Sequence, residues 1–480
     1  MITRGTTLRR ILPTSLLLLT GLAFAQLPGT LELQPASGPV GTKVTATVRG
    51  LPAGSAIDLV WMSADARWNV GDGTFEGITA VETPAVVASA AAGADGTATV
   101  AFTAPEDYGY VHNVFVVANG ERVARQGFTL VPTLAISPAS GPPGTPITVT
   151  MTGIGYRFWE SVWHLLYDGA HTGWVSAITS RGTAVVTIPA TGGEGLHTLQ
   201  ALSGTHPVAY LNQQQSPNFK PAIPTVLSAV FEVTGGVAVA PPEPEAQTLP
   251  RLAGATTSGG DPTLLLDHRS GPVGSPVMLR GNGFPPNASV ELRWSTVTGN
   301  RISGGGWDEA ERALASVAAD ASGAFTATFP TPDDLGGAHR LSAVAGAVRA
   351  ALSYTITPSV SAVSPRVVSP GGDITITLKG VGWTATANIY TVLLDNGYIG
   401  YGCGFNSQGD VTIHLKAPGQ QGTHYIGIYP SIYQGGVRSP GGPTTPDANA
   451  TYLQLPMLNV ADHPGEVLPS FLLAFDVRSD

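Results

Sequence analysis

The run Ser37-Gly38-Pro39-Val40-Gly41-Thr42, followed by Val44, Ala46, Val48 and a stop at Gly50, recurs with drift three more times in this 480-residue chain. The second copy is Ser140-Gly141-Pro142-Pro143-Gly144-Thr145, leading to Ile147, Val149, Met151 and Gly153. The third is Ser270-Gly271-Pro272-Val273-Gly274-Ser275, leading to Val277, Leu279 and Gly283. The fourth is more diverged: Ser369-Pro370-Gly371-Gly372, then Ile374, Ile376, Leu378 and Gly380. Each joins a Pro/Gly turn to a period-two apolar run. Alternation of that kind places one face inward and one outward, so each copy reads as a turn feeding a half-buried antiparallel strand.

The repeats have a second level. Gly41/Gly274 and Trp61/Trp294 are separated by 233 residues, whereas Gly96/Gly323 and His112/His339 are separated by 227. The second and fourth copies keep 227 throughout, at Gly144/Gly371, Trp163/Tyr390 and His197/His424. A shared offset across neighbouring modules means that a pair was copied as a unit. One six-residue length change between Trp61 and Gly96 reconciles the two values. The chain reads as module A (26–132), module B (133–236), a linker (237–261), module A′ (262–358) and module B′ (359–480). The linker holds Pro241-Pro242-Glu243-Pro244-Glu245 and then Thr256-Thr257-Ser258-Gly259-Gly260, stiff then flexible. Mobility is expected between the pairs and close junctions within them.

Each module is about the usual size of a single sandwich domain. Each has an aromatic on a central strand (Trp61, Trp163, Trp294, Tyr390), several turn signals and no helical period. Asp308 to Ala319 is the single helix-like piece, expected to form a short helix or turn. Charged residues make up 12% of the chain, about half the usual roughly 25%, as many short strands joined by Gly and Pro would give. The fold class is therefore all-β: four tandem immunoglobulin-like β-sandwiches arranged as a duplicated two-domain pair.

The run Ser-Gly-Pro-x-Gly-Thr, its alternating strand, Gly281-Asn282-Gly283-Phe284-Pro285-Pro286, and a following strand ending in Trp294 resemble the IPT/TIG-type immunoglobulin-like modules of exported bacterial proteins. The likeness covers nearly all of residues 26–480. Module B′ departs from it, with Val367-Val368 where B has Ser140-Gly141, and Gly372 where B has Thr145. The resemblance implies the fold, and a role as spacer, adhesive domain, envelope component or accessory domain. It does not choose among these.

Arg4, Arg9 and Arg10, the apolar run Ile11 to Phe24 and Ala23-Phe24-Ala25 form a signal peptide over residues 1–25. The apolar run is shorter than the about 20 residues of a bilayer span. Export to periplasm, cell surface or medium is expected, with no membrane span after cleavage. The formal charge of −9 argues against nucleic acid as a partner. Cys403 is the sole cysteine, which excludes an internal disulfide.

No nucleophile elbow, phosphate loop or paired metal-ligand spacing is present, so an enzyme is not expected. His112, His197, His339 and His424 occur once per module at a strand start, where sandwiches often place a Tyr bonded to nearby backbone. A structural role is expected for them, and metal for none. Glu106-Asp107 and Asp333-Asp334 read as solvated turns, with loosely held Ca²⁺ as the alternative; no other cofactor is implied. Modules B and B′ are rich in aromatics. Trp159, Trp174, Tyr398, Tyr401, Tyr429 and Tyr433 are the candidate binding residues, since exposed rings stack on sugars or anchor protein interfaces. The implied partner is a cell-envelope component, polysaccharide or surface protein. Two roles remain open: structural spacing, or recognition through the B modules.

Overall fold

The computed structural model describes residues 27–479 except 72–73, 158, 205–208, 210, 213–214, 216–222, 224, 258–260, 301–305, 405–406 and 433–453. The signal-peptide segment lies outside the described residues. Module A is built from β1 (Thr30–Gln34), β2 (Ser37–Gly38), β3 (Lys43–Arg49), β4 (Ala56–Gly71), β5 (Thr74–Ala91), β6 (Ala98–Thr103), β7 (Tyr110–Ala118) and β8 (Glu121–Leu130). These form a three-stranded sheet, β1-β3-β6, and a five-stranded sheet, β2-β8-β7-β4-β5. The same strand order recurs in modules B, A′ and B′. The molecule is thus four immunoglobulin-like sandwiches with one topology.

The repeated opening motif does more than turn the chain. After β1 pairs in the small sheet, Ser37 and Gly38 cross to the other sheet and pair parallel with Thr129 and Leu130 of β8. The chain then turns back into β3 through a turn in which Thr42 N–H donates to the Pro39 carbonyl at 3.1 Å. Gly41 takes φ +84°, a left-handed value at the third turn position that favours glycine. The Thr42 hydroxyl donates to the Pro39 carbonyl at 2.7 Å. That places it where a Cβ on residue 38 would stand, 2.4 Å away, so position 38 must be Gly. Gly141/Thr145 repeats this clash and Gly271/Ser275 keeps it at 2.6 Å. In B′ the hydroxyl is lost, yet Val367 and Val368 still pair parallel with Asp476 and Val477.

Each sandwich closes over one apolar layer. In A, Val44, Ala46 and Val48 of β3 meet Trp61 of β4 and Phe102, Phe128 and Leu130 from both sheets. Trp163, Trp294 and Tyr390 are the fully buried counterparts of Trp61. The recurrent histidine of each module lies near this layer. His112 stacks on Trp61 at 4.4 Å and His339 on Trp294 at 4.6 Å. Their ring nitrogens bond backbone carbonyls, Tyr108 and Met62 for His112, Leu335 and Ser295 for His339. In B and B′ one ring nitrogen bonds a hairpin aspartate, Asp168 at 2.5 Å for His197 and Asp395 at 2.6 Å for His424, while the other bonds the Gly193 or Gln420 carbonyl. All four serve as backbone fasteners.

Two expectations are overturned. Residues 306–318 form a strand, Gly306–Ala318, rather than a helix or turn. The Ala- and Glu-rich composition is overridden because the segment pairs antiparallel with Ser289–Asn300. Across that sheet Glu311 meets Arg293, Arg340 and Arg349, a ladder of opposite charges on an outer strand. The described part of the linker is also docked rather than loose; Ser258, Gly259 and Gly260 of its flexible half lie outside the described residues. Gln247 exchanges two hydrogen bonds with the Leu472 backbone of B′, at 2.8 and 2.6 Å. Val239 N–H donates to Pro143 of B, and its carbonyl accepts from Tyr425 of B′. A chain segment that satisfies backbone groups on both flanks is fixed by them, whatever its Pro and Gly content.

Gly38→Ala is expected to lower stability by about 1–3 kcal/mol through overpacking. In the double variant Gly38→Ala/Thr42→Ala the added methyl has room, so its loss should be smaller than the sum of the two single losses. Urea unfolding of the three variants measures the coupling.

Candidate functional site

Side-chain hydrogen bonds cross each joint between modules. At the A–B joint Asp107 is buried, 2% exposed. Its carboxylate accepts from the Trp61 indole N–H at 2.8 Å, the Ser63 hydroxyl at 2.8 Å and the Tyr108 N–H at 2.8 Å. Arg181 of module B donates to Ser63 from across the joint. At the A′–B′ joint Asp334 accepts from Trp294, Thr296 and the Leu335 N–H, and Gln408 of B′ donates to it at 2.7 Å. Gln408 stands 227 residues after Arg181, so the joint was copied with the pair. Burial pushes the Asp334 carboxyl up. Bonds from Gln408, Thr296 and Leu335 outweigh that and hold it below the usual carboxylate range.

The reading of these carboxylate pairs as solvated turns is therefore half wrong. Glu106 and Asp333 lie at the surface, but each also bonds across its joint, to Thr183 and Lys379. Asp107 and Asp334 are interior, because the neighbouring indole and hydroxyl donors satisfy a carboxylate that would otherwise be too costly to bury. Small residues keep the modules close: a Cβ on Gly109 would meet the Gly153 carbonyl at 1.7 Å, and one on Gly336 the Gly380 carbonyl at 2.0 Å. Among the described residues no group of three or more His, Cys, Asp or Glu could hold a metal ion.

A third buried carboxylate ties the two pairs together. Asp462 of B′ is 1% exposed. It accepts from Ser176 and the Ile178 N–H on one oxygen, at 2.5 and 2.9 Å. The other oxygen accepts from the Thr179 N–H and hydroxyl, at 2.6 and 2.7 Å. All four donors belong to module B. Its own carbonyl accepts from the indole N–H of Trp68, in module A. Trp68 lies in the β4–β5 hairpin, which spans 56–91 in A but 289–318 in A′. The six-residue length change seen in the sequence falls here, and lets A reach the other pair.

Beside this clasp, residues 456–458 of B′ run along the outer edge of the B sheet. Trp174 N–H donates to the Pro456 carbonyl at 2.9 Å, and Leu458 N–H to the Trp174 carbonyl at 3.0 Å. Trp174, Val162, Leu455, Met457 and Ile432 form one apolar cluster, with Trp68 and Tyr398 against it. Leu393, Tyr429 and Leu458 of B′ pack into the core of B itself.

The candidate aromatics divide accordingly. Trp174 and Tyr429 are buried, so neither presents a ring to a ligand; burial pushes the Tyr429 phenol up to about 12. Tyr398 is half-buried and its hydroxyl donates to the Gln454 carbonyl. Trp159 and Tyr401 are exposed, at 44% and 50%. Tyr433 lies outside the described residues. Trp174, Tyr398 and Tyr429 lie where the B modules pack on one another, while Trp163, Tyr167 and Tyr390 belong to the cores of their own modules. Sequence reasoning missed Trp68, Asp462 and residues 456–458, none of which stands in a repeated position. Cys403 is half-buried, and burial raises its thiol above the ordinary value, which disfavours the reactive thiolate.

No protein-family description matches the chain, and no curated protein matches it. Among solved structures it is similar to a mutant of Salmonella alpha-2-macroglobulin, at 12% identity and TM-score 0.19, over 92% of this chain and 30% of that one. Invasin, a bacterial integrin-binding protein, is similar at 12% identity and TM-score 0.18, over 84% of this chain and 76% of its own. The Yersinia pseudotuberculosis adhesin InvE is similar at 14% identity and TM-score 0.19, over 49% and 66%. This chain spans under a third of the macroglobulin's length. Likenesses at these scores carry no argument about role.

Two outcomes are expected of the clasp. Asp462→Ala leaves buried N–H groups in B unsatisfied and should separate the pairs, read as a larger radius of gyration in solution scattering. His463, next in the chain, is held neutral by burial, with its pKa lowered from 6.5 to about 4. Its contribution is complete above the unfolded value. As pH falls the unfolded chain takes up the proton first, so about 3 kcal/mol is lost between those two values. Urea midpoints at pH 7 and pH 5 should differ less in His463→Gln than in the native chain.

Proposed function

We propose that this protein is an exported, non-enzymatic component of the cell envelope or surface, in which four IPT/TIG-type modules act as one fixed structural block. The observation that carries this reading is the Asp462 clasp, which joins B′ to both A and B. A string of independent spacers has no use for a buried residue whose carboxylate is bonded to one other module and whose backbone carbonyl is bonded to a second. The leader-like residues 1–25 and the net charge of −9 support export and argue against a nucleic-acid partner. The regular three-plus-five sheet pairs and the opening turn support the IPT/TIG assignment.

A second reading is adhesion to a surface protein or polysaccharide. The exposure of Ile399 and Tyr401 on an outer strand of B′ favours it, and favours a protein over a sugar. Rings that stack on sugars work as a broad platform, whereas this is a narrow apolar strip beside free backbone.

Fractionation of the native cell tests the first reading. The chain should be recovered from the envelope, surface or medium, beginning at Gln26. Recovery in the cytoplasm with residues 1–25 still attached would sink it.

A further inference from the structure

The duplication provides its own comparison for one strand edge. In B the outer strand of the five-stranded sheet is Ala170–Val175; in B′ it is Gly397–Cys403. Their registers are the same. Leu165 faces Gly173 and His164 faces Trp174 in B; Val392 faces Gly400 and Thr391 faces Tyr401 in B′. Each B residue stands 227 before its B′ counterpart. The bulges also match, at Leu165/Leu166 and Val392/Leu393.

What differs is the far side of the strand. In B the edge is filled by Leu455-Pro456-Met457-Leu458, bridged parallel at Trp174 and Met457. Gly173 is what lets that segment approach: a Cβ there would meet the Pro456 carbonyl at 2.6 Å and the Leu458 side chain at 2.8 Å. Trp174 is covered, at 1% exposure. In B′ the matching Gly400 has nothing within 4 Å of its Cβ position. The matching Tyr401 is 50% exposed, and Ile399 is 49% exposed. Among the described residues no backbone bond reaches the outer side of Tyr401. The small residue and the aromatic are both retained in B′, without the strand they accommodate in B.

We infer that the outer edge of Gly397–Cys403 at Ile399, Gly400 and Tyr401, beyond the end where Gly397 and Tyr398 meet Ala170 and His171 of module B, is an acceptor for an extended apolar segment of a partner protein. That segment adds as a parallel strand and places a Leu-Pro-Met-Leu-like run over Tyr401 and Gly400. Main-chain bonds at an exposed edge supply affinity, and the exposed side chains of Ile399 and Tyr401 supply side-chain selection. The donor is another protein rather than a second copy, because each copy's own 455–458 already lies on its module B. This names the partner class for the adhesive reading. It rests on the internal comparison alone, so it stands or falls separately from the fractionation result.

The probe is a fluorescein-labelled peptide with the sequence of residues 453–460, added to the full mature chain and followed by anisotropy. Saturable binding is expected. Tyr401→Lys and Ile399→Lys, both at exposed positions, should each weaken it by about tenfold or more while the thermal midpoint is unchanged. Methylating the peptide nitrogen that corresponds to Leu458 should weaken it similarly, since that N–H makes the edge bond. Absence of binding at millimolar peptide, or binding indifferent to all three changes, overturns the inference. A concentration-dependent dimer that Tyr401→Lys dissolves would place a second copy on the edge and overturn the partner assignment.

Discussion

A buried carboxylate at a module boundary is the constraint on which the assembly depends, and it is used three times, with Arg312 adding a charged donor at Asp334 alone. Asp107, Asp334 and Asp462 are each almost fully enclosed, and each is bonded to indole, hydroxyl or backbone donors at a module boundary. A buried charge is tolerated only when its lone pairs are filled, so each aspartate demands that several groups be in place together. That demand converts adjacency into fixed geometry. Remove one donor and the remainder still surrounds the charge; remove the charge and several buried N–H groups lose their acceptor at once.

The three joints differ in origin. The A–B and A′–B′ joints are copies of one another, down to Arg181 and Gln408 at matching positions, with side chains that differ in charge. The clasp between pairs has no such counterpart. It uses the lengthened β4–β5 hairpin of A and a segment of B′ ahead of its last strand, Phe471–Val477. Duplication supplied two closed pairs, and asymmetric additions then locked one against the other. The same asymmetry leaves the B edge covered and the B′ edge open.

Much of the fold was legible because its causes are local. Period-two alternation, a left-handed Gly at the turn and one aromatic per central strand are written in consecutive residues, and repetition amplified them. The histidines were legible for the same reason. The short helix or turn expected at Asp308–Ala319 failed where local composition competed with sheet pairing and lost. The aromatic residues misled because type alone does not distinguish a ring that meets solvent from one that meets another module. Trp174 and Tyr401 occupy matching positions, yet one is buried and the other exposed.

The amino-acid sequence by itself determined four sandwiches, their pairing by duplication and the turn that starts each one. These depend on contacts within about a hundred residues and on backbone chemistry readable at single positions. Only the tertiary structure decided which carboxylates are interior, that the linker is docked, and which strand edge is filled. Those outcomes depend on residues such as Trp68 and Asp462, 394 apart in the chain, and no local pattern encodes which distant donor will meet which acceptor.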